Sequence, residues 1–276
     1  MKYIKAVVGV IIAVWLVTMI MGSRVRPGSW LFPLRTGVNE PFWVWIHITA
    51  PGRAATLQDI LDTRYTELER AWFSRDQKQI SAAQAALQHT SEAVVSAIQN
   101  YTIAGDYKVA DSLAAVSISM ASVHGQVLEA LVTHGAVAQT SADVVFAKDI
   151  AEVLQSMRAD EIKKFTTAFS KEDLVKGIDG RLKETQALQE EVRNELRNAD
   201  SLLQPEQKAA LSAILTETQA AYESARNKLG GDQYVEGFVL ADTTLGRLHE
   251  VRIAIRATQE FGVPVIPAVK ATRSGK

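Results

Sequence analysis

Between Gly52 and Gln204 the chain carries no proline, and its apolar residues recur every three or four positions, the spacing of one face of an α-helix. Leu57, Ile60, Leu61, Tyr65, Leu68 and Trp72 form one such stripe, which predicts an amphipathic helix starting after Pro51-Gly52 and ending near Ser74-Arg75-Asp76. Ile80, Ala83, Leu87, Val94 and Ile98 predict a second helix, closed by Ala104-Gly105-Asp106, where glycine can take the left-handed cap conformation. A third is expected from Asp106 toward Gly135. Further helices are expected over Ser141 to Phe169, Lys171 to Asp200, Pro205 to Leu229 and Asp232 to Phe261, with Gly230-Gly231 as the clearest turn. The fold class is therefore all-α, a multi-helix bundle. Its expected layout is a first bundle over 51–139, a connecting helix over 140–170 and a second bundle over 171–261. After Gly262, Pro264 and Pro267 end helix, and Lys270, Arg273 and Lys276 make 262–276 read as a flexible basic tail.

The stripes differ in what surrounds them. Ile80 to Ala151 is rich in Ala, Ser and Val, which suits helices in close approach. Lys171 to Asp200 is dense in charge, with Glu172/Lys176 and Asp179/Lys183 in the favourable i, i+4 order. Leu174, Ile178, Leu182, Val192, Leu196, Ala199 and Leu203 give that helix one apolar seam, open to intramolecular packing or to self-association. Two short stretches repeat in kind: RYTELERA (Arg64 to Ala71) with RLKETQAL (Arg181 to Leu188), and AGDY before Asp111 with GGDQY before Asp242. They fit either a duplicated three-helix unit or the chance likeness of Ala-rich helices joined by Gly-Asp turns.

The N-terminal pattern is of another kind. Ala6 to Gly22 is 17 uncharged, mostly apolar residues, covering roughly 25 Å as a helix. With Lys2 and Lys5 before it, residues 1–23 read as a cytoplasmic start and transmembrane signal-anchor. A cleaved secretory signal is the alternative, although Met19 to Ser23 lacks the small-residue exit it needs. The basic residues and the first-element position orient the N-terminus inside and the helical domain outside. Residues 24–50 form an aromatic juxtamembrane segment. Arg24, Arg26, Trp30, Phe32, Arg35, Trp43 and Trp45 are expected at the membrane interface, the indoles half-buried and the arginines near lipid phosphate. The FWVWI run has an equal alternative reading, as the lid of the first bundle's core.

Composition narrows the chemistry. With 30 Lys plus Arg against 31 Asp plus Glu, a formal charge of -1 argues against a nucleic-acid partner. The absence of cysteine excludes disulfides, thiolate metal sites and cysteine nucleophiles. His47, His89, His124, His134 and His249 include no pair three or four apart, and no Glu-x-x-His occurs, so no metal site is expected. Without a phosphate loop, a nucleophile elbow or a Ser/His/Asp arrangement, the chain reads as a non-enzyme with no cofactor and no evident small-molecule substrate.

Pro27, Gly28, Ser29, Leu31, Phe32, Pro33, Leu34 and Arg35, followed by Glu40, resemble the opening of the bacterial domain of unknown function 5667 family, in which this motif follows a membrane span. RYTELERAW (Arg64 to Trp72) is similar to that family's second helix, and the resemblance covers about Arg26 to Gly135. It implies a membrane-tethered helical domain on the outer side of the bacterial cytoplasmic membrane, and no activity. The chain departs from the pattern at Pro41, which would interrupt the family's first helix. Leu203-Gln204-Pro205-Glu206-Gln207 is similar to the Leu-Thr-x-x-Gln motif of periplasmic helical stress chaperones, with Gln204 in place of Thr.

The expected function is thus a single-pass envelope binding or scaffold module, its partners membrane lipid and either an envelope protein or a second copy of itself. A periplasmic chaperone or stress sensor binding unfolded chains is the alternative.

Overall fold

In the computed structural model, residues 25–133 and 141–268 are described, with Ser141, Thr166 and Thr167 as backbone only. The expected membrane segment over residues 6–22, Arg24, His134 and the basic residues Lys270, Arg273 and Lys276 lie outside them.

The chain is all-α: α1 (Phe32–Leu34), a π-helical turn (Arg35–Asn39), α2 (Glu40–Ile46), α3 (Ala50–Ser74), α4 (Gln77–Ile103), α5 (Tyr107–Thr133), α6 (Ser141–Ala168), α7 (Lys171–Asn198), α8 (Pro205–Gly230) and α9 (Tyr234–Phe261). No strand occurs among the described residues. Local chemistry sets the ends. The Thr49 hydroxyl accepts from the Gly52 N–H, and Pro51 sits in the first turn of α3, where a missing N–H has no partner to lose. Arg75 closes α3 in the left-handed region (φ 58°), its N–H meeting the carbonyls of Ala71 and Trp72. Asp76 then caps α4, its Oδ1 accepting from the N–H groups of Lys78 (3.0 Å) and Gln79 (3.1 Å). Gly105 (φ +81°) turns α4 into α5 as its position predicts. After α8 it is Asp232 (φ 60°), and neither Gly230 nor Gly231, that takes the left-handed conformation, which Asp tolerates better than most residues.

Backbone contacts divide the molecule between Ala93 and Val94, inside α4. In the first unit α2 packs on α3, and Leu61, Tyr65, Leu68, Ala71, Trp72, Ile80, Ala83 and Leu87 are buried. The division does not fall at 139–140, where the first bundle was expected to end.

In the second unit α5 packs along α6 and α9, and α9 packs in turn against α7 and α8. Gly246 of α9 allows the crossing with α5 to be close, since a Cβ there would stand 2.6 Å from Ser119 Oγ. The core joins Val116, Met120 and Val127 of α5 to Leu188 and Val192 of α7, Leu211 and Ile214 of α8, and Leu248 and Val251 of α9. The seam of α7 is spent in this packing, with Leu174, Ile178, Leu182, Val192, Ala199 and Leu203 buried. Both predicted pairs form on its outer side, Lys176 with Glu172 at 3.0 Å and Lys183 with Asp179 at 2.8 Å. Among the described helices α5 alone is long and apolar enough to cross a membrane, and most of its apolar window is buried inside the fold.

The first part of the expected flexible tail is docked. Val263 and Val265 enter the core, the Gln207 amide donates to the Val265 carbonyl at 3.1 Å, and Arg247 donates to the Ala268 carbonyl at 3.0 Å. A proline-containing segment cannot continue α9, yet its two valines join the apolar core.

Candidate functional site

From Pro27 to Gly52 the sequence holds two carboxylate or guanidinium side chains, Arg35 and Glu40. The chain enters through a tight turn, with Pro27 fixing the first corner, Gly28 at φ +78° taking the second, and the Ser29 N–H returning to the Arg26 carbonyl at 3.2 Å. Gly28 rests against the start of α4, where a Cβ would stand 3.5 Å from the Lys78 carbonyl. Pro33 then lies in the first turn of α1, as its chemistry favours.

Pro41 does not break the following helix. It cannot donate to the carbonyl four residues back, and its ring crowds that carbonyl. The preceding turn widens instead: the Glu40 N–H reaches the Arg35 carbonyl five residues back, and Pro41 begins α2. The widened turn brings Arg35 and Glu40 to the same side, facing α3.

There they close a ring. Arg35 Nε lies 3.1 Å from Glu40 and its Nη1 2.5 Å from Glu67, while Arg64 binds Glu40 through one terminal nitrogen and Glu67 through the other. Arg35 Nη1 also donates to the Val25 carbonyl at 2.8 Å. Two cations alternate with two anions, so the ring is neutral. Arg64 has no exposed surface, and Phe32 lies over its guanidinium at 5.3 Å. Burying four charges is tolerable only in such mutual pairing.

With both charges turned inward, what faces outward is uncharged. Trp30 is 83% exposed, Trp45 71% and Ile48 91%, and Pro33, Leu34, Gly37, Val38, Pro41 and Trp43 are exposed as well. Leu34, Val38, Pro41 and Trp45 follow one another at helical spacing, which puts them on one side of the segment. No residue of α2 is fully buried; Phe42, Val44 and Ile46 are half-buried while Trp43 and Trp45 are exposed.

The expected interface residues thus separate. Trp30, Trp43 and Trp45 are outward, and Arg26 is exposed. Phe32 and Arg35 belong to the interior, and Arg35 is committed to Glu40, Glu67 and a backbone carbonyl instead of lipid phosphate. Of the motif residues, Pro27 and Phe32 are buried, Gly28 and Pro33 shape the backbone, and Arg35 builds the ring. Arg64 and Glu67 had no assigned role in the sequence, but a signal was present: Arg64 is three residues after Leu61 and four before Leu68, a charge inside an apolar stripe.

The second unit holds a comparable junction, built from ionisable groups of four helices. Arg158 of α6 grips Asp111 of α5 with two nitrogens, at 2.8 and 3.3 Å, and donates to Thr243 and to the Val239 carbonyl of α9. Arg181 of α7 pairs with Glu184 one turn on and lies 2.9 Å from Asp242 of α9. Asp111 and Asp242 are fully buried. Burial pushes the Asp242 carboxyl up to about 8; the attraction of Arg181 opposes this and the Asp111 charge adds to it. These two aspartates are the ones that follow the repeated Gly-Asp-Tyr stretches. Likewise Arg64 and Arg181, matched in the helical repeat, each pair with the Glu three residues on.

The other sequence candidates are structural here. Pro205 starts α8, and Gln207 is buried, its amide donating to Thr258 (2.8 Å) and the Val265 carbonyl. His124 is fully buried in α5. Among the described residues no group of His and carboxylates is arranged to hold a metal.

No family model, curated protein or solved structure matches the chain.

Proposed function

We propose that this chain is a non-enzymatic, single-pass membrane-anchored module of the bacterial envelope. In this reading, residues 6–22 anchor it, residues 30–48 seat the first unit on the outer surface of the membrane, and the long helices stand outside to engage an envelope protein. The observation that carries the reading is the concentration of exposed apolar side chains. Half of the large hydrophobics exposed among the described residues, Trp30, Leu34, Val38, Trp43, Trp45 and Ile48, fall in that one short segment directly after the apolar stretch. The rest, such as Phe73, Ile103 and Leu202, are scattered along the sequence, as is ordinary for a protein surface. Tryptophan suits the headgroup region, where an indole buries its ring and keeps its N–H hydrated.

The chain's lack of cysteine makes the topology directly testable. Ser201 is exposed between α7 and α8, so a Ser201→Cys variant carries a single thiol. In intact cells it is expected to react with a membrane-impermeant maleimide as fully as with a permeable one. Reaction with the impermeant reagent only after lysis would put the helices in the cytoplasm and end the envelope reading.

A further inference from the structure

The turn that leads into the first unit brings two distant cations to one corner. Gly28 rests on the start of α4, where a Cβ would stand 3.4 Å from the Lys78 Cγ. Arg26 opens the same turn, which the Ser29 N–H closes on the Arg26 carbonyl. A β-turn keeps its end Cα atoms within about 7 Å, so Arg26 and Lys78 rise side by side although 52 residues separate them in sequence. The corner is held in place, because Arg35 donates to the Val25 carbonyl at 2.8 Å while it pairs with Glu67 of α3. Both Arg26 and Lys78 are exposed, and among the described residues neither side chain makes an ion pair or a hydrogen bond. The carboxylate beside them is already occupied. Asp76 Oδ1 accepts from the N–H groups of Lys78 and Gln79, and Oδ2 from the Gln79 amide at 2.7 Å; the bonds from Gln79 hold its carboxyl below the usual range. Arg26 and Lys78 against Asp76 leave one positive charge in excess. Arg75 is exposed on the same turn but is not free, and the site does not depend on it.

Both ends of this turn lead to the membrane surface in the reading above. Arg26 is four residues beyond Gly22, at most about 14 Å of extended chain, and Trp30, 83% exposed, follows Ser29 directly. Lys78 is carried to the same surface by its contact with Gly28. Two cations without partners at that height meet lipid phosphate. In an ethanolamine or choline headgroup the phosphate is balanced by the lipid's own ammonium, whereas in a glycerol headgroup it is not. A corner with positive charge in excess favours the second. Resting on the membrane seating proposed above, we propose that Arg26 and Lys78 form a binding corner for the phosphate of an anionic glycerophospholipid, which makes the α3–α4 turn a second point of attachment beside residues 30–48.

Gln77 is exposed beside Lys78, so Gln77→Cys gives the otherwise cysteine-free full chain one thiol for an uncharged fluorophore. The labelled chain is reconstituted in vesicles of equal parts phosphatidylethanolamine and phosphatidylglycerol, with a nitroxide quencher high on the acyl chains of one lipid, the other, or both. Quenching is expected to favour labelled phosphatidylglycerol about two- to fivefold, what exposed ion pairs supply. The preference is expected to vanish when Arg26→Gln and Lys78→Gln are combined, and to persist when Arg26→Lys and Lys78→Arg are combined. Both residues are exposed, so neither pair of substitutions threatens the fold. Salt at about 1 M, which screens beyond roughly 3 Å, is expected to remove the preference as well. Equal quenching by the two lipids would overturn the site, and so would a preference that survives the neutral variant or the salt. Abolition by millimolar inorganic phosphate at matched ionic strength would make the ligand a soluble anion and overturn the lipid assignment. Absence of quenching with both lipids labelled would place the α3–α4 turn away from the membrane. The same fluorophore at Val38→Cys reads the seating separately: quenching there without quenching at residue 77 removes this site alone, and quenching at neither removes the seating with it.

Discussion

Arg64 is fully buried and holds a carboxylate at each terminal nitrogen, so its removal strands buried charge. Arg64→Met leaves Glu40 and Glu67 sharing Arg35 alone. Denaturant unfolding is expected to show a loss of about 3–5 kcal/mol, the cost of an uncompensated buried charge. Adding Glu67→Gln to the same chain should recover part of that loss, because charge balance returns. Asp242 makes the opposite kind of statement. Its folded-state pKa is raised to about 8 from an ordinary 3.8, so between those values the folded protein holds a proton that the unfolded chain has released. Stability contributed by this group is full below the ordinary value and falls as pH rises toward 8. Urea midpoints measured from pH 5 to 9 are expected to decline in wild type and to decline less in Asp242→Asn, which is neutral throughout. At this scale the sequence was only half legible. Charges inside an apolar stripe marked Arg64, and Asp242 stands likewise four residues after Phe238 and three before Leu245. Glu67 stands one turn from Arg64 and was within reach of spacing, but Glu40 is 24 residues from Arg64 and Arg181 is 61 residues from Asp242, separations that no spacing reads.

The elements themselves were largely legible. Period, proline and turn residues located the long helices from α3 to α9 to within a few residues, because each has one apolar stripe and a chemically distinct end. Two features escaped for the same physical reason, that backbone groups can be satisfied in more than one way. Pro41 signals a break, but a π turn absorbs it by shifting one hydrogen bond a residue further back. Pro264 and Pro267 signal loose chain, but Gln207 and Arg247 offer donors to the carbonyls of Val265 and Ala268, and the core takes two valines. Val265→Asp is expected to lower stability by about 1.5–3 kcal/mol, the worth of one buried valine. Limited proteolysis should then cut within 262–268 in the variant and spare it in wild type.

At the scale of the molecule, charge placement separates two surfaces. The long helices carry solvated ion pairs such as Lys176–Glu172 and Lys183–Asp179, while residues 30–48 keep their two charges inside and expose tryptophan, proline and aliphatic side chains. The sequence predicted an aromatic membrane collar and assigned Arg35 to lipid; the ring takes Arg35 instead and leaves the outward side of residues 30–48 uncharged. Spin labels on the otherwise cysteine-free chain test the seating directly, one at Val38→Cys on the outward face and one at Ser201→Cys between α7 and α8. In vesicles holding the full chain, residue 38 is predicted to be more accessible to oxygen than to a water-soluble nickel complex, and residue 201 the reverse. Equal, water-like nickel accessibility at both positions would contradict the account.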